Sequence, residues 1–359
     1  MTRTIIPFGP QHPVLPEPIH LNLELDGDVV TGAAPCLGYV HRGLEGLVAT
    51  HDVRQMIRVV ERVCGICSMM HSLVFCQAVE GMLGIEVPPR ARFLRTAWAE
   101  LHRMHSHLLW LGLFADAMGF ENLFMQFWRV REKVMDINEA TAGNRVIVSV
   151  NDIGGVRRDM DEARQRWVIA ELEAMRPDLE HLLDAVVDDP TVRRRTEGLA
   201  VLTREQALDA GAAGPTLRAS DVGRDMRLLG HAAYGELDFE PVVETAGDCR
   251  ARTRVRCREV LQSMDLVRQA LKAAPRGELA VKVKKPRPEG EAVARIEQPR
   301  GECIYYLKAD GSRHLKRVRI RTPTFANVPA LLAMLPGLRL SDVPVAVLSI
   351  DPCISCTER

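Results

Sequence analysis

Two Cys-x-x-Cys pairs stand near opposite ends of this 359-residue chain, Cys64/Cys67 and Cys353/Cys356. A two-residue gap lets both sulfurs of a pair reach one ion, and Gly65 relaxes the turn inside the first pair. One pair alone fits a redox disulfide or a chance spacing equally well. Two pairs together suit a soft metal. Zinc remains an alternative, although zinc pairs usually close a small module and lie some tens of residues apart. An iron–sulfur cluster would also accept four thiolates. If both pairs serve one centre, the two ends must fold back onto each other. A single domain over residues 1–359 is therefore expected.

Composition agrees with a folded body of zero net charge. Hydrophobic residues make up 47% and charged residues 26%, enough to bury a sizeable core and too apolar for disorder. Basic and acidic residues balance at 47 each, so no overall field draws in nucleic acid or an anionic membrane surface. No apolar run approaches the roughly 20 residues needed to span a bilayer, and the N-terminus lacks the apolar stretch of a secretory signal. Nine cysteines, an odd number, then read as reduced thiols in a cytoplasmic protein.

The pattern predicts a mainly α protein with small β elements, an α+β fold built on a bundle of long helices. Ile19, Leu21, Leu23 and Leu25 alternate before a turn at Asp26–Asp28, predicting a β-hairpin over about 17–41. A helical core is expected over about 48–275. One helix would run through the first Cys pair, Pro88–Pro89 would end it, and a long helix would start near Arg90. Residues 156–188 and 251–274 read as further long amphipathic helices. From about 280 to 359, an exposed turn and short strands or loop would return the second Cys pair to the core.

The motifs around the cysteines carry a resemblance. Arg62-Val63-Cys64-Gly65-Ile66-Cys67 followed by His71, and Asp351-Pro352-Cys353-Ile354-Ser355-Cys356 ending in Arg359, are similar to the first and last signatures of nickel–iron hydrogenase large subunits. Gly9–Pro13 (GPQHP), His41–Glu45 (HRGLE) and Glu100–Gly112 (ELHRMHSHLLWLG) resemble the complex I 49 kDa subunit of the same ancestry, which has lost the cysteines. Together they point to the energy-converting branch that includes CO-linked hydrogenases.

The resemblance implies a centre of nickel and iron, the iron carrying carbon monoxide and cyanide. Cys64 and Cys353 would be terminal nickel ligands, and Cys67 and Cys356 would bridge. A terminal thiolate, Cys353, would serve as both ligand and proton acceptor. Glu17, in Pro16–Leu21, resembles the family carboxylate that relays protons. Arg300, in Gln298-Pro299-Arg300-Gly301, resembles the arginine over the open side of the metals. Thr324 with Pro323 resembles a segment whose hydroxyl donates to cyanide, and His71 resembles a histidine bonded to a bridging sulfur. Asp351 lies inside the last signature, and Glu45 resembles a residue of a buried polar or metal site beside the centre. Arg359 stands where respiratory relatives have a histidine contributing to magnesium binding, which leaves magnesium open.

Other titratable residues read more plainly. His102, His105 and His107 on one helix fit packing or surface roles, and Asp116 is expected to approach the site from the same helix. Cys36, Cys76, Cys249, Cys257 and Cys303 read as buried small hydrophobes. They offer no cluster spacing, so no iron–sulfur cluster is expected in this chain and electrons need another subunit. The resemblance implies a small subunit with a 4Fe–4S cluster, further iron–sulfur and membrane-arm subunits, ferredoxin as donor and maturation proteins. It places the assembly peripherally on the cytoplasmic face of the inner membrane. The expected activity is reversible reduction of protons to hydrogen. The competing expectation is a complex I-like connecting or quinone-site subunit without hydrogenase activity.

Overall fold

The structure, a computed structural model, describes residues 4–13 and 15–359. It begins with strands β1 (Thr4–Phe8), β2 (His20–Asp26) and β3 (Val29–Cys36), paired antiparallel in that order. Leu21, Leu23 and Leu25 point inward from β2 and are buried, as their alternation requires. The hairpin expected over 17–41 is therefore present as β2–β3. The pairing of β1 to its other edge was not legible, because Thr4–Phe8 has too few alternating positions to announce a strand.

Helices α1 (Leu44–Thr50), α2 (Val53–Val60), α3 (Ser68–Leu83), α4 (Pro89–Ala117) and α5 (Glu121–Ala142) follow. Proline opens α4 at its first position, where the missing N–H costs nothing. After a two-residue pair of strands, β4 (Asn151–Asp152) and β5 (Gly155–Val156), comes α6 (Glu162–Asp188). Short helices α7 (Pro190–Thr196), α8 (Arg204–Asp209) and α9 (Gly214–Arg218) lead to the long α10 (Cys249–Ala273). Asp161 and Asp248 cap α6 and α10 by accepting from Arg164 N and Ala251 N, each at 2.7 Å.

The C-terminal part corrects the expectation of short strands or loop. Strands β6 (Glu289–Gln298), β7 (Gly301–Asp310) and β8 (Leu315–Arg321) form an antiparallel meander. Tyr305 and Leu307 turn inward while Tyr306 and Lys308 turn out. The two ten-residue strands were hidden because the outer positions of β6 are mixed in polarity. Helices α11 (Pro323–Met334), α12 (Val343–Ser349) and α13 (Ile354–Thr357) complete the chain. The fold is thus mainly α with small sheets, the α+β class expected.

Helix α4 is the axis of the bundle, packed against α5 on one side and α10 on another, with α6 behind both. Leu94, Leu101, Leu108 and Leu111 are fully buried along it. So are Arg95, Glu100, His102, Arg103, His105 and His107. Charged groups survive there only because each is paired. Arg95 shows the rule: its guanidinium donates to Glu80 at 2.6 and 3.0 Å and to the carbonyls of Asp152 and Gly155 at 2.9 Å, joining α3, α4 and the β4–β5 turn. Arg95→Leu should strand the Glu80 carboxylate and cost about 3–5 kcal/mol of stability. Urea unfolding of the purified chain measures this; a loss under 1 kcal/mol would contradict it.

Candidate metal centre

The first Cys loop lies between α2 and α3, not inside a helix. A short 3-10 turn, Glu61–Val63, ends the first helix, and Cys64 is extended at φ −154°. Ile66 N donates to Cys64 Sγ at 3.3 Å, where a continuous helix would have used a carbonyl one turn back. That corrects the expectation of one helix through the motif. In the second loop Asp351 adopts φ 54°, a left-handed conformation that Asp tolerates better than most residues. The chain then turns through Pro352, and Cys353 caps α13.

The two loops bring their sulfurs together in the interior. Cys64 Sγ lies 3.3 Å from Cys353 Sγ, and Cys67 Sγ lies 3.3 Å from Cys356 Sγ. The sulfurs of Cys64, Cys67 and Cys356 all lie within 4.8 Å of one another. Cys64 is pushed well below the ordinary thiol range, first by its hydrogen bonds with Cys353, Cys356 and Cys67. Cys353 is pushed well up by its hydrogen bonds to Cys356 and Cys64, and Cys356 first by burial. One thiolate thus forms readily at the expense of its neighbours. Ionising the whole set requires positive charge among the sulfurs, which is what a thiophilic metal supplies.

Around the sulfurs, the residues nominated from sequence take up distinct posts. His71, on α3, places Nε2 3.4 Å from Cys356 Sγ and Nδ1 2.8 Å from the Tyr305 hydroxyl. Burial pulls its pKa to about 4, so the ring is neutral at pH 7. Arg300 donates through Nε to Asp351 O at 2.9 Å, through one Nη to Asp351 Oδ1 at 2.8 Å, and through the other to Ser106 Oγ at 3.2 Å. Burial opposes its charge, but Asp351, Cys353 and Cys64 raise its pKa well above the ordinary value. Thr324, next to Pro323 at the start of α11, accepts from Cys353 N at 3.1 Å. Glu17 accepts from Ser355 N at 3.1 Å and also from Ile354 N and the Ser355 hydroxyl.

A cavity of about 220 Å³ opens beside this group. Leu109, Trp110, Leu113 and Leu348 form its apolar wall, and Glu17, Arg300, Asp351 and Cys353 its polar one. Such a space suits a small, uncharged molecule better than an ionic substrate.

Glu45 is engaged by an amide and two guanidinium groups. Its carboxylate accepts from Ile320 N at 2.8 Å and Arg359 Nε at 3.0 Å, and pairs with Arg319 at 2.6 Å. Burial raises its pKa, but Ile320 N and the two guanidinium groups outweigh this and lower it. With cations already on both oxygens, these residues do not fit a magnesium ion. Asp116 is exposed at the end of α4 and does not approach the centre, a correction that follows because a one-residue shift along a helix turns the side chain by about 100°. Cys36 is exposed at the end of β3, unlike the other four unassigned cysteines. His102, His105 and His107 are wholly buried, so their surface role is excluded.

Several residues of the site were missed. Arg42 stitches the two Cys loops, donating to Arg62 O and Val63 O at 3.0 Å and to Ser355 O at 2.7 Å. Its position inside the HRGLE motif was the available signal. Thr322 Oγ1 donates to Cys356 O at 3.1 Å, and Glu358 accepts from Val40 N at 2.6 Å. Ser106 lies inside the Glu100–Gly112 motif, and Tyr305 carried no local signal.

The Arg300 turn is held by a close backbone crossing. Gly214 and Gly301 both have positive φ, and a Cβ on Gly214 would sit 2.3 Å from Arg300 O. Asn327 clamps the same loop by accepting from Ala213 N at 2.8 Å and donating to Ala213 O at 3.2 Å. Gly214→Ala should displace the Arg300 turn and lower stability by about 2 kcal/mol. An unchanged unfolding midpoint would show that the crossing does not hold the turn.

Four clustered thiols beside an arginine–aspartate pair, in an α+β scaffold, are a donor set that suits a thiophilic metal. Residues 42–115 match the family described as nickel-dependent hydrogenase, and residues 117–287 and 282–359 match the respiratory-chain NADH dehydrogenase 49 kDa subunit. The chain is 40% identical over its full length, and over the relative's, to the carbon monoxide-induced hydrogenase of Rhodospirillum rubrum. It is 38% identical to the membrane-bound hydrogenase subunit alpha of Pyrococcus furiosus, over 99% of this chain and 87% of that one. A chain of an archaeal respiratory membrane complex, the membrane-bound sulfane sulfur reductase, superposes with a TM-score of 0.94 at 31% identity, covering 99% of this chain and 98% of its own. The chain belongs to the family of nickel-dependent hydrogenase large subunits and complex I 49 kDa subunits, in its energy-converting hydrogenase branch.

Proposed function

We propose that the chain is the catalytic subunit of a membrane-associated, energy-converting nickel–iron hydrogenase that reversibly reduces protons to hydrogen. The observation that carries this reading is the meeting of all four cysteine sulfurs in a buried cluster. Cys64, Cys67, Cys353 and Cys356 would hold a centre of nickel and iron, the iron carrying carbon monoxide and cyanide, and when bound that centre would supply the site at which hydrogen is formed or split.

The chain's own groups handle position and protons. Cys353 Sγ takes up or releases the proton, and Glu17, whose carboxyl lines the same cavity, passes it onward. Arg300, fixed by Asp351 and Ser106, presents a planar guanidinium toward the open side of the sulfurs. Thr324 and His71 hold Cys353 N and Cys356 Sγ in place, and Thr324 keeps a hydroxyl proton to donate to the iron's ligands. The apolar wall of the cavity admits a small neutral gas and keeps bulk water out.

Electrons would arrive from a low-potential donor such as ferredoxin through a small subunit with a 4Fe–4S cluster, in a complex I-like assembly with further iron–sulfur and membrane-arm subunits. Among the described residues no helix is long and apolar enough to cross a membrane. Attachment to the cytoplasmic face of the inner membrane would therefore run through partner subunits, with residues 1–359 acting as a single domain. Maturation proteins would supply the diatomic ligands. A second reading, a complex I-like connecting subunit without hydrogenase activity, draws on the 49 kDa match over the larger part of the chain.

Metal analysis of the anaerobically purified complex separates the two. Nickel together with iron, and infrared bands of metal-bound carbon monoxide and cyanide, are expected; fully matured complex without nickel would leave only the second reading. Glu17→Gln should keep both metals and lower hydrogen/deuterium exchange by a factor of about 100 or more. Unchanged exchange would remove Glu17 from the relay. Arg300→Lys should assemble normally and lose most turnover, because an ammonium cannot reproduce the two-pronged contact with Asp351. Near-normal turnover would refute that role.

A further inference from the structure

Behind the Arg300 turn lies a second polar group that the reading above does not use. Four carboxylates, Glu100, Asp225, Glu259 and Glu297, meet three guanidinium groups, Arg103, Arg218 and Arg227, and every one of these side chains is buried. Arg218 is the hub, 2.7 Å from Glu259, 2.7 Å from Glu297 and 3.2 Å from Asp225. Arg227 pairs with Asp225 at 2.8 Å and faces Glu100 at 3.4 Å, and Arg103 faces Glu100 at 3.3 Å. Glu259 also accepts from, or pairs with, His107 at 2.9 Å. Tyr234 and Ser263 donate to Glu100, and His231 bonds Met226 O at 3.2 Å.

Arg256, also buried, faces Glu259 and evens the count of charges, but Glu297 has Arg218 as its one ion-pair partner among the described residues and shares it with Asp225 and Glu259. A negative charge so thinly compensated in a dry interior is costly, and the cheapest remedy is one bound proton. Glu297 is where solvent can deliver it. It lines a small cleft of about 90 Å³ together with Glu302, Arg321 and Arg224. Glu100, Asp225 and Glu259 lie deeper and do not line that cleft.

Glu297 is also tied to the centre. It stands three residues before Arg300, and Arg103 donates to Glu297 O at 2.8 Å and Gln298 O at 3.1 Å, fixing the strand end that carries the turn. Beyond His107, the atoms His107 Nδ1, Arg256 Nε and Nη2, and Asp351 Oδ2 are buried without a hydrogen-bond partner among the described residues. They mark a polar line between the cluster and the Arg300–Asp351 pair.

We propose that Glu297 is a proton-storing site, a buried carboxyl that exchanges one proton with solvent through the Glu302–Arg321 cleft and so sets the charge behind the Arg300 turn. Its surroundings agree: burial first, then Asp225, push its pKa up to about 7, against the lowering by Arg218 and Met226 N. Burial holds His107 at about 4, while the pairing with Arg218 and His107 overcomes burial and keeps Glu259 well below the carboxylate range. Below neutral pH the proton therefore resides on Glu297. It is released as pH rises through 7.

Infrared spectroscopy of the purified complex tests this without any hydrogen chemistry, so a failure of the hydrogenase reading leaves the result intact. The wild type at pH 6 should show a protonated carboxylic acid C=O band that shifts in D2O, loses half its intensity near pH 7, and is absent in Glu297→Gln. Labelling the wild type with 13C-glutamate should move the same band, which keeps the test available if the variant does not fold. A wild type lacking the band, a band that persists in the folded Glu297→Gln variant, or one that fails to respond to D2O would overturn the proposal.

Discussion

The contact between two cysteine loops drawn from opposite ends of the chain is the constraint on which the structure turns. Four sulfurs packed as two cross-loop pairs, each 3.3 Å apart, cannot all ionise without a cation, and the loops that carry them are held by backbone hydrogen bonds. Arg42 binds three carbonyls from both loops, and Glu17 binds two amides of the second. The cluster is therefore preformed by the protein, and its buried thiols suit a thiophilic cation because ionising them together requires positive charge.

Holding that cluster in a helical core forces an unusual interior. Helix α4 is both the hydrophobic axis and the carrier of a row of buried charged and histidine side chains. Each charge is tolerable only through partners from distant segments: Arg95 through α3 and the β4–β5 turn, Glu100 through α10 and Arg227, Arg103 through the carbonyls of β6. The same pairings fix the register of α4 against its neighbours. Function and architecture share these residues, so the Arg300 turn inherits the rigidity of the bundle.

Much of this was legible beforehand for identifiable reasons. The Cys-x-x-Cys spacings, Gly65, and the Pro-Arg-Gly before β7 are local patterns whose chemistry can be read within ten residues. The alternation of Leu21, Leu23 and Leu25 fixes the strand they form and its buried face. What escaped were partners that only distant chain segments bring together. Arg42 lies in a noticed motif, but its three acceptors come from residues 62, 63 and 355. Asp116 looked close to the site along the sequence and faces solvent, because one residue of helical rotation is about 100° and decides the face. Glu45 has the composition of a metal ligand, and the packing gave it two guanidinium groups instead.

The two cysteine pairs, their spacing and their flanking residues determined by themselves that this chain could bind a soft metal, since ligand type and local reach are properties of a few consecutive residues. Whether the pairs face one ion, which carboxylates remain free, and which charges are buried was decided by the tertiary structure. Those outcomes depend on the dielectric and on the partners that folding supplies. A carboxylate such as Glu17 or Glu297 has the same chemistry in any sequence, and only the cavity or cleft that surrounds it makes it a candidate to carry a proton.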